Sequence, residues 1–105
     1  MFARLTIAQV KKDMMEEGKK LYVDEIIKLY EDCIVTDAKS EKGYKGTLLL
    51  TDRNSGKAIS IVLWDTEQDA IADEESGSYQ ERVNKFKDFF TASPIREGYQ
   101  VIVKD

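Results

Sequence analysis

The sequence predicts an α+β fold in which helices cover one face of a four-stranded antiparallel sheet. Two short apolar runs, residues 44–53 and 57–65, flank a turn in which Gly56 can adopt a positive φ, and together they predict a hairpin. Apolar residues recur at helical spacing over residues 19–38 and 79–90, on either side of this hairpin. The element order is therefore β-α-β-β-α-β with the second helix broken in two, which is typical of a ferredoxin-like sandwich.

The first half of the chain supplies one strand and one helix. The strand is predicted over residues 2–10, where side chains alternate between two faces. One face carries Ala3, Leu5 and Ile7, and the other carries Phe2, Arg4, Thr6, Ala8 and Val10. Residues 11–18 are charged, have no clear period and are interpreted as a loop. The helix over residues 19–38 has the apolar stripe Val23, Ile26, Ile27, Tyr30 and Ile34.

In the second half of the chain, capping and breaking residues mark the helix boundaries. These signals are Thr66 as an N-cap, Ser76-Gly77 as a break, Ser78 with Glu81 as a capping box, and Ser93-Pro94 as a stop. The first of these two helices is predicted to reach about residue 72. The second is predicted to carry the stripe Tyr79, Val83, Phe86 and Phe90, and the last strand to cover residues 95–103.

Both strands of the central hairpin carry apolar residues at consecutive positions, so both of their faces need cover. One layer of helices covers one face only, and the other face would expose a large apolar patch. A closed two-fold homodimer through this open sheet face is the simplest solution, and a monomer with a weakly polar open face is the alternative.

Length and composition fit one globular domain over residues 1–105, with 42% apolar and 34% charged residues. A net charge of −4 argues against a nucleic-acid partner, although RNA-recognition motifs share the predicted topology, and the strands lack the aromatic stacking pattern of such motifs. No apolar run approaches the roughly 20 residues of a membrane span. The single cysteine, Cys33, cannot form an internal disulfide, so we expect a cytoplasmic protein.

The chain contains no histidine, which excludes an imidazole-based triad and removes the commonest ligand of zinc and haem. Six acidic residues follow the hairpin: Asp65, Glu67, Asp69, Asp73, Glu74 and Glu75. Because their spacing winds around a helix, we interpret them as a solvated helix face rather than a metal site. We expect neither a metal nor a cofactor.

Three segments together resemble the antibiotic biosynthesis monooxygenase-like domains of the dimeric α+β barrel superfamily. They are Phe2-Ala-Arg-Leu-Thr, Gly43-Tyr-Lys-Gly-Thr-Leu-Leu-Leu and Leu63-Trp-Asp-Thr-Glu-Gln-Asp-Ala70, with the break Ser76-Gly-Ser-Tyr79 behind them. The resemblance covers nearly the whole chain. It implies a homodimer whose sheets face each other, with a ligand pocket between sheet and helices in each subunit.

The best-defined enzymes of the family that the chain resembles either degrade haem or oxidise aromatic polyketides with oxygen and no cofactor. The haem-degrading members use an asparagine, a tryptophan and a histidine, and the matching positions here hold Ala3, Trp64 and Asp73. Because only the tryptophan is kept, haem degradation is not expected. A cofactor-independent oxygenase needs a dry pocket, a deprotonating group and stabilisation of a phenolate or enolate.

Five residues are candidates for such a pocket: Trp64, Arg4, Tyr44, Tyr79 and Arg53. Trp64 is either a pocket wall that stacks on a planar ligand or a core aromatic that closes the end of the sheet. Arg4 would anchor an anionic ligand or form a salt bridge across the dimer. The sequence thus predicts either a cofactor-independent monooxygenase-like protein acting on a small planar aromatic or quinone-type compound, or a non-catalytic homodimer that binds a small hydrophobic ligand.

Overall fold

The four strands are placed by a computed structural model that describes residues 1–11, 26–33, 38–52 and 54–105. They are β1 (Phe2–Gln9), β2 (Tyr44–Asp52), β3 (Lys57–Trp64) and β4 (Ile95–Gln100). The sheet has the order β2-β3-β1-β4, and every neighbouring pair is antiparallel. The α+β ferredoxin-like arrangement predicted from the sequence is therefore confirmed. The segment predicted as a loop, residues 11–18, lies outside the described residues from residue 12 onwards.

Helices follow the strands as the sequence pattern predicts. The described part of the first helix, α1, covers residues 26–33. The next two are α2 (Glu67–Glu75) and α3 (Ser78–Asn84), and single 3₁₀ turns occur at Ala38–Ser40 and Lys87–Phe89. Thr66 caps α2 as expected, because its hydroxyl accepts a hydrogen bond of 3.2 Å from the amide of Asp69.

The two sheet faces have the composition predicted from the alternation in β1. On the inner face, under the helices, a core forms around Phe2, Val62 and Trp64, together with Tyr30 of α1 and Phe86 after α3. Cys33 lies in the same core, where its free thiol packs as a small hydrophobic side chain. The aromatic rings there meet edge to face, with 6.5 Å between the centroids of Tyr30 and Phe86.

The outer face carries large apolar side chains that no described residue covers. Leu48, Leu50, Ile95 and Tyr99 are 50%, 48%, 62% and 53% exposed. The hydroxyl of Tyr99 donates a 2.8 Å hydrogen bond to the Glu97 carboxylate, and this bond to an anion raises the pKa of Tyr99. An exposed apolar face of this kind is typical of an interaction surface.

The hairpin between β2 and β3 closes as predicted on Gly56, whose φ is 77° and whose amide donates to the carbonyl of Asp52 over 2.8 Å. The Asp52 carboxylate accepts hydrogen bonds from the Asn54 amide at 2.9 Å and from the Ser55 hydroxyl at 3.0 Å. These bonds favour the ionised carboxylate, so the pKa of Asp52 is lowered.

Three predicted helix boundaries were wrong. The helix starting after Thr66 continues to Glu75 instead of ending near residue 72. Ser78 does not form a capping box with Glu81, because it is the first residue of α3 and not its N-cap. Gly77, at φ 88°, takes the N-cap position, and the hydroxyl of Ser76 lies 3.1 Å from that of Ser78.

Helix α3 ends at Asn84, well before the end predicted at Ser93-Pro94. The backbone that follows pairs with the end of β1. The Lys11 amide donates to the Phe89 carbonyl, and the Thr91 amide donates to the Gln9 carbonyl, each over 2.9 Å. Tertiary pairing thus overrides the helical period. Strand β4 is likewise shorter than predicted and ends at Gln100.

Helix α1 is attached to the sheet through the hydroxyl of Tyr30. This oxygen lies 2.7 Å from Oγ1 of Thr47 on β2 and 2.8 Å from Oγ of Ser60 on β3. The Thr47 hydroxyl donates its own hydrogen bond to the carbonyl of Ile61, 3.1 Å away. If Ser60 donates to Tyr30 and Tyr30 donates to Thr47, all three hydroxyl groups are satisfied at once.

Removing the Tyr30 hydroxyl should therefore loosen α1 from the sheet. We expect Tyr30→Phe to lower the free energy of unfolding by about 1 kcal/mol, because Ser60 and Thr47 lose a partner in a partly buried site. Chemical denaturation measures this change. Tyr99→Phe is the matched control and should leave the midpoint unchanged, since its hydroxyl is exposed. Equal midpoints for wild type and Tyr30→Phe would contradict the role assigned to this hydroxyl.

Candidate functional site

An apolar cavity of about 80 Å³ lies between the inner face of the sheet and helices α1, α2 and α3. Its floor consists of inward-facing residues of β1 and β3, among them Thr6, Ala8, Ala58 and Val62. The side chains at these positions are small or short, so they leave a space between the sheet and the helices. The volume exceeds several-fold the roughly 10–15 Å³ that one water molecule needs. The cavity therefore has room for a small organic ligand.

Trp64 forms the wall at one end of the cavity. It stands at the last position of β3, is only 2% exposed and packs in the core between the sheet and the helices. Tyr44 supports it from β2, with ring centroids 6.3 Å apart and the ring planes at 87°. This edge-to-face contact holds the indole in one orientation. Trp64 is thus a core aromatic that also borders the cavity, and its stacking on a planar ligand stays a prediction.

Another part of the wall, the charged wall, contains Asp73, Glu74 and Arg82, which α2 and α3 bring to the cavity beside Arg4 of β1. The Arg82 guanidinium donates a hydrogen bond to Oδ2 of Asp73, and both side chains are buried. Nε of Arg4 lies 2.5 Å from Oε1 of Glu74. Neither of these two atoms makes an aligned hydrogen bond, so the contact holds as an ion pair. Arg96 approaches the other oxygen of Glu74 at 3.8 Å, from the partly exposed rim.

Tyr79 stands between the charged wall and the rim. Its hydroxyl is 2.8 Å from Oγ1 of Thr6, which ties the start of α3 to β1. The guanidinium of Arg96 lies over its ring, 5.4 Å from the centroid, as in a cation–π contact. The hydroxyl and the ring face of Tyr79 are thus both engaged.

Gly98 makes room for Arg4. It faces Arg4 across the β1–β4 pairing, and a Cβ atom at this position would lie 2.5 Å from Cζ of Phe2 and 2.6 Å from Nη1 of Arg4. Both distances are too short for real atoms. The backbone of β4 can therefore pass beside the guanidinium only because residue 98 has no side chain.

Of the five candidate residues from the sequence, the structure brings Arg4, Trp64 and Tyr79 to one cavity. Tyr44 lies behind Trp64 rather than in the wall. Burial raises the pKa of Tyr44, and the nearby Tyr30 raises it further. Tyr44 is therefore a neutral phenol at neutral pH and does not act as a base. Arg53 lies outside the described residues.

Sequence reasoning missed Asp73, Glu74 and Arg82. The acidic run was interpreted as a solvated helix face, and this was wrong for Asp73 and Glu74, which are buried or half-buried against arginines. A signal was present, because Asp73 follows Ala70 by three residues and shares its buried helix face. Ala3, which the sequence resemblance aligned with the asparagine of haem-degrading enzymes, belongs to the outer face and points away from the cavity.

Within the described ranges, no group of three or more His, Cys, Asp or Glu side chains is arranged to hold a metal ion. The helices in the same part of the chain are all too short or too polar to cross a membrane.

Comparison with solved structures gives full-length matches at low sequence identity. One is a "putative antibiotic biosynthesis monooxygenase" from Nitrosomonas europaea, with a TM-score of 0.67 and 17% identity over 98% of this chain and 100% of that chain. Another, described in the same words, is from Deinococcus radiodurans. It has a TM-score of 0.72 and 11% identity over 100% of this chain and 96% of that chain. A conserved protein from Methanosarcina mazei Go1 aligns with a TM-score of 0.71 and 14% identity over 94% of this chain and 90% of that chain.

This likeness shows the fold. The resemblance expected from the sequence is thus confirmed as a shared monooxygenase-like fold, over nearly the whole length of both chains. No family model matches the chain, and no curated protein matches its sequence. Because these identities are below 20%, the likeness extends to the fold and not to the chemistry of the cavity.

Filling the space at Gly98 should displace Arg4 and disturb the charged wall. We expect Gly98→Ala to lower the free energy of unfolding by about 1–3 kcal/mol, the usual cost of overpacking. Thermal or chemical unfolding measures this loss. Gln100→Ala, at an exposed position of the same strand, is the control and should change stability by less than about 0.5 kcal/mol. If both variants were as stable as wild type, the close approach of Gly98 and Arg4 would be wrong.

Proposed function

We propose that the chain is a cofactor-independent monooxygenase-like protein that binds a small planar aromatic compound in the cavity beneath its helices. The observation that supports this proposal is the cavity itself, an apolar space bordered by Trp64 and by the charged wall. Apolar lining excludes water and accepts a flat ring, and a few polar groups at one side orient it.

The guanidinium groups of this wall can stabilise an anionic form of the ligand. Arg4 and Arg82 line the cavity and meet two carboxylates there, Asp73 and Glu74, so the lining itself is balanced in charge. Arg96 adds a third guanidinium from the half-exposed rim, 3.8 Å from Glu74. A phenolate or enolate that develops during oxidation would be stabilised by the guanidinium donors of this wall.

The reaction needs no further redox group when the substrate supplies the electrons. Oxygen adds to the deprotonated ring, one oxygen atom stays as a new carbonyl, and the other leaves as water with the two hydrogens of the substrate. One O₂ is then consumed per molecule oxidised. The similarity in fold to proteins named antibiotic biosynthesis monooxygenases supports this assignment by analogy.

Oxygen uptake tests the catalytic part of the proposal. We expect the purified protein to consume oxygen with a member of a panel of hydroquinones and polycyclic phenols. Trp64→Phe should reduce the rate by roughly tenfold, because about 1.4 kcal/mol of ring contact is lost. The thermal midpoint of Trp64→Phe serves as the control for folding. Background uptake over the whole panel, with ligand still bound, would instead indicate a non-catalytic binding protein.

We also propose that a second copy of the chain covers the outer sheet face. Four exposed apolar side chains on β2 and β4 form this face, and the tail beyond β4 leaves Ile102 and Val103 each 86% exposed. The opposite face is already filled by helices, so a second sheet of the same kind is the simplest cover. A two-fold contact would pair this surface with itself.

Native mass spectrometry tests the dimer. We expect a mass near twice 12.0 kDa for wild type and a shift toward monomer for Leu50→Lys, which places a charge in the proposed interface. Ile27→Lys introduces the same charge at a partly exposed position of α1 and should remain dimeric. A wild-type monomer at micromolar concentration would contradict the proposal, as would loss of the dimer in both variants.

A further inference from the structure

The carboxylate of Asp73 is only half satisfied. The residue is 4% exposed and lies in the wall of the cavity. One of its oxygens, Oδ2, accepts a hydrogen bond from Arg82. The other, Oδ1, is buried and has no hydrogen-bond partner among the described residues. A buried carboxylate oxygen without a donor is rare, because it loses its hydration and gains nothing in exchange.

The other carboxylate of the cavity wall has an ion-pair partner, and the tyrosine hydroxyl groups have hydrogen-bond partners. Glu74 lies against Arg4 and Arg96, so its charge is compensated. The hydroxyl of Tyr79 is engaged with Thr6, and that of Tyr30 is engaged with the strands below it. Within the described part of the cavity wall, Oδ1 of Asp73 is therefore the carboxylate oxygen that has neither a hydrogen bond nor an ion pair.

We infer that Asp73 accepts a hydrogen bond from a hydroxyl group of the ligand, so that the cavity takes a phenol or hydroquinone and rejects the quinone or ether of the same shape. An ionised carboxylate only accepts hydrogen bonds. A phenol offers it a proton, whereas a quinone or ether offers only lone pairs, which repel it. This inference rests on the proposed function, since it names the chemical class of ligand for that same cavity.

A matched pair of probes tests this selectivity. Para-methylphenol and para-methylanisole share the ring and nearly the same size, and differ in whether the oxygen carries a proton. Amide NMR titration of the full chain gives both dissociation constants even when binding is weak. We expect wild type to bind the phenol at least about tenfold more tightly than the anisole, as for other sites that hydrogen-bond a ligand hydroxyl.

Asp73→Asn should abolish or reverse this preference. Its carbonyl oxygen would face Arg82, and its amide nitrogen, a donor, would take the place of Oδ1. Glu75→Gln is the control, because it removes the same charge from the solvent-exposed side of α2 and should keep the wild-type ratio.

The outcomes separate the two proposals. Equal affinity of wild type for phenol and anisole would overturn the role of Asp73 and leave the cavity as a ligand site. A folded Asp73→Asn protein that keeps the phenol preference would overturn it as well. If neither probe binds to wild type, both the inference and the proposed function are wrong. The wild-type comparison decides the question even if Asp73→Asn fails to fold.

Discussion

The arrangement above the sheet depends on the need to neutralise one arginine. Arg4 stands in the middle of β1, on the face that the helices cover. A guanidinium that loses its hydration is costly unless a carboxylate compensates it. Glu74 provides that carboxylate from the last turn of α2, at 2.5 Å, so α2 must lie where its acidic end reaches β1. The position of this helix then determines what stands beside it.

Asp73 is carried to the cavity by the same placement. It precedes Glu74 in α2, so a helix that presents Glu74 to Arg4 also turns Asp73 toward the interior, where Arg82 of α3 pairs with it. The two ion pairs hold the short helices in place of an extensive apolar contact. Small residues on the strands below leave the space open, and Trp64 at the end of β3 borders it. The cavity is thus a consequence of how charge is compensated over the sheet.

The two faces of the sheet meet different physical demands. The inner face combines apolar packing with a few compensated charges, and this combination suits a ligand that has a flat ring and one polar group. The outer face is apolar and open at Leu48, Leu50, Ile95 and Tyr99. A shared fold with other proteins accounts for both faces in outline, but the chemistry depends on particular side chains. Here the charged wall is built around two carboxylates, Asp73 and Glu74, that pair with arginines.

The sequence alone determined the element order, the alternation in β1, the hairpin at Gly56 and the apolar outer face, because these depend on local spacing and on backbone geometry. It also indicated Trp64 and Arg4, since an aromatic at a strand end and a charge within an apolar strand are visible in the pattern. Only the tertiary structure decided that α3 ends early, where its backbone pairs with β1. It likewise decided that Asp73 and Glu74 are interior, because burial of a carboxylate depends on arginines distant in sequence that no local pattern links to it.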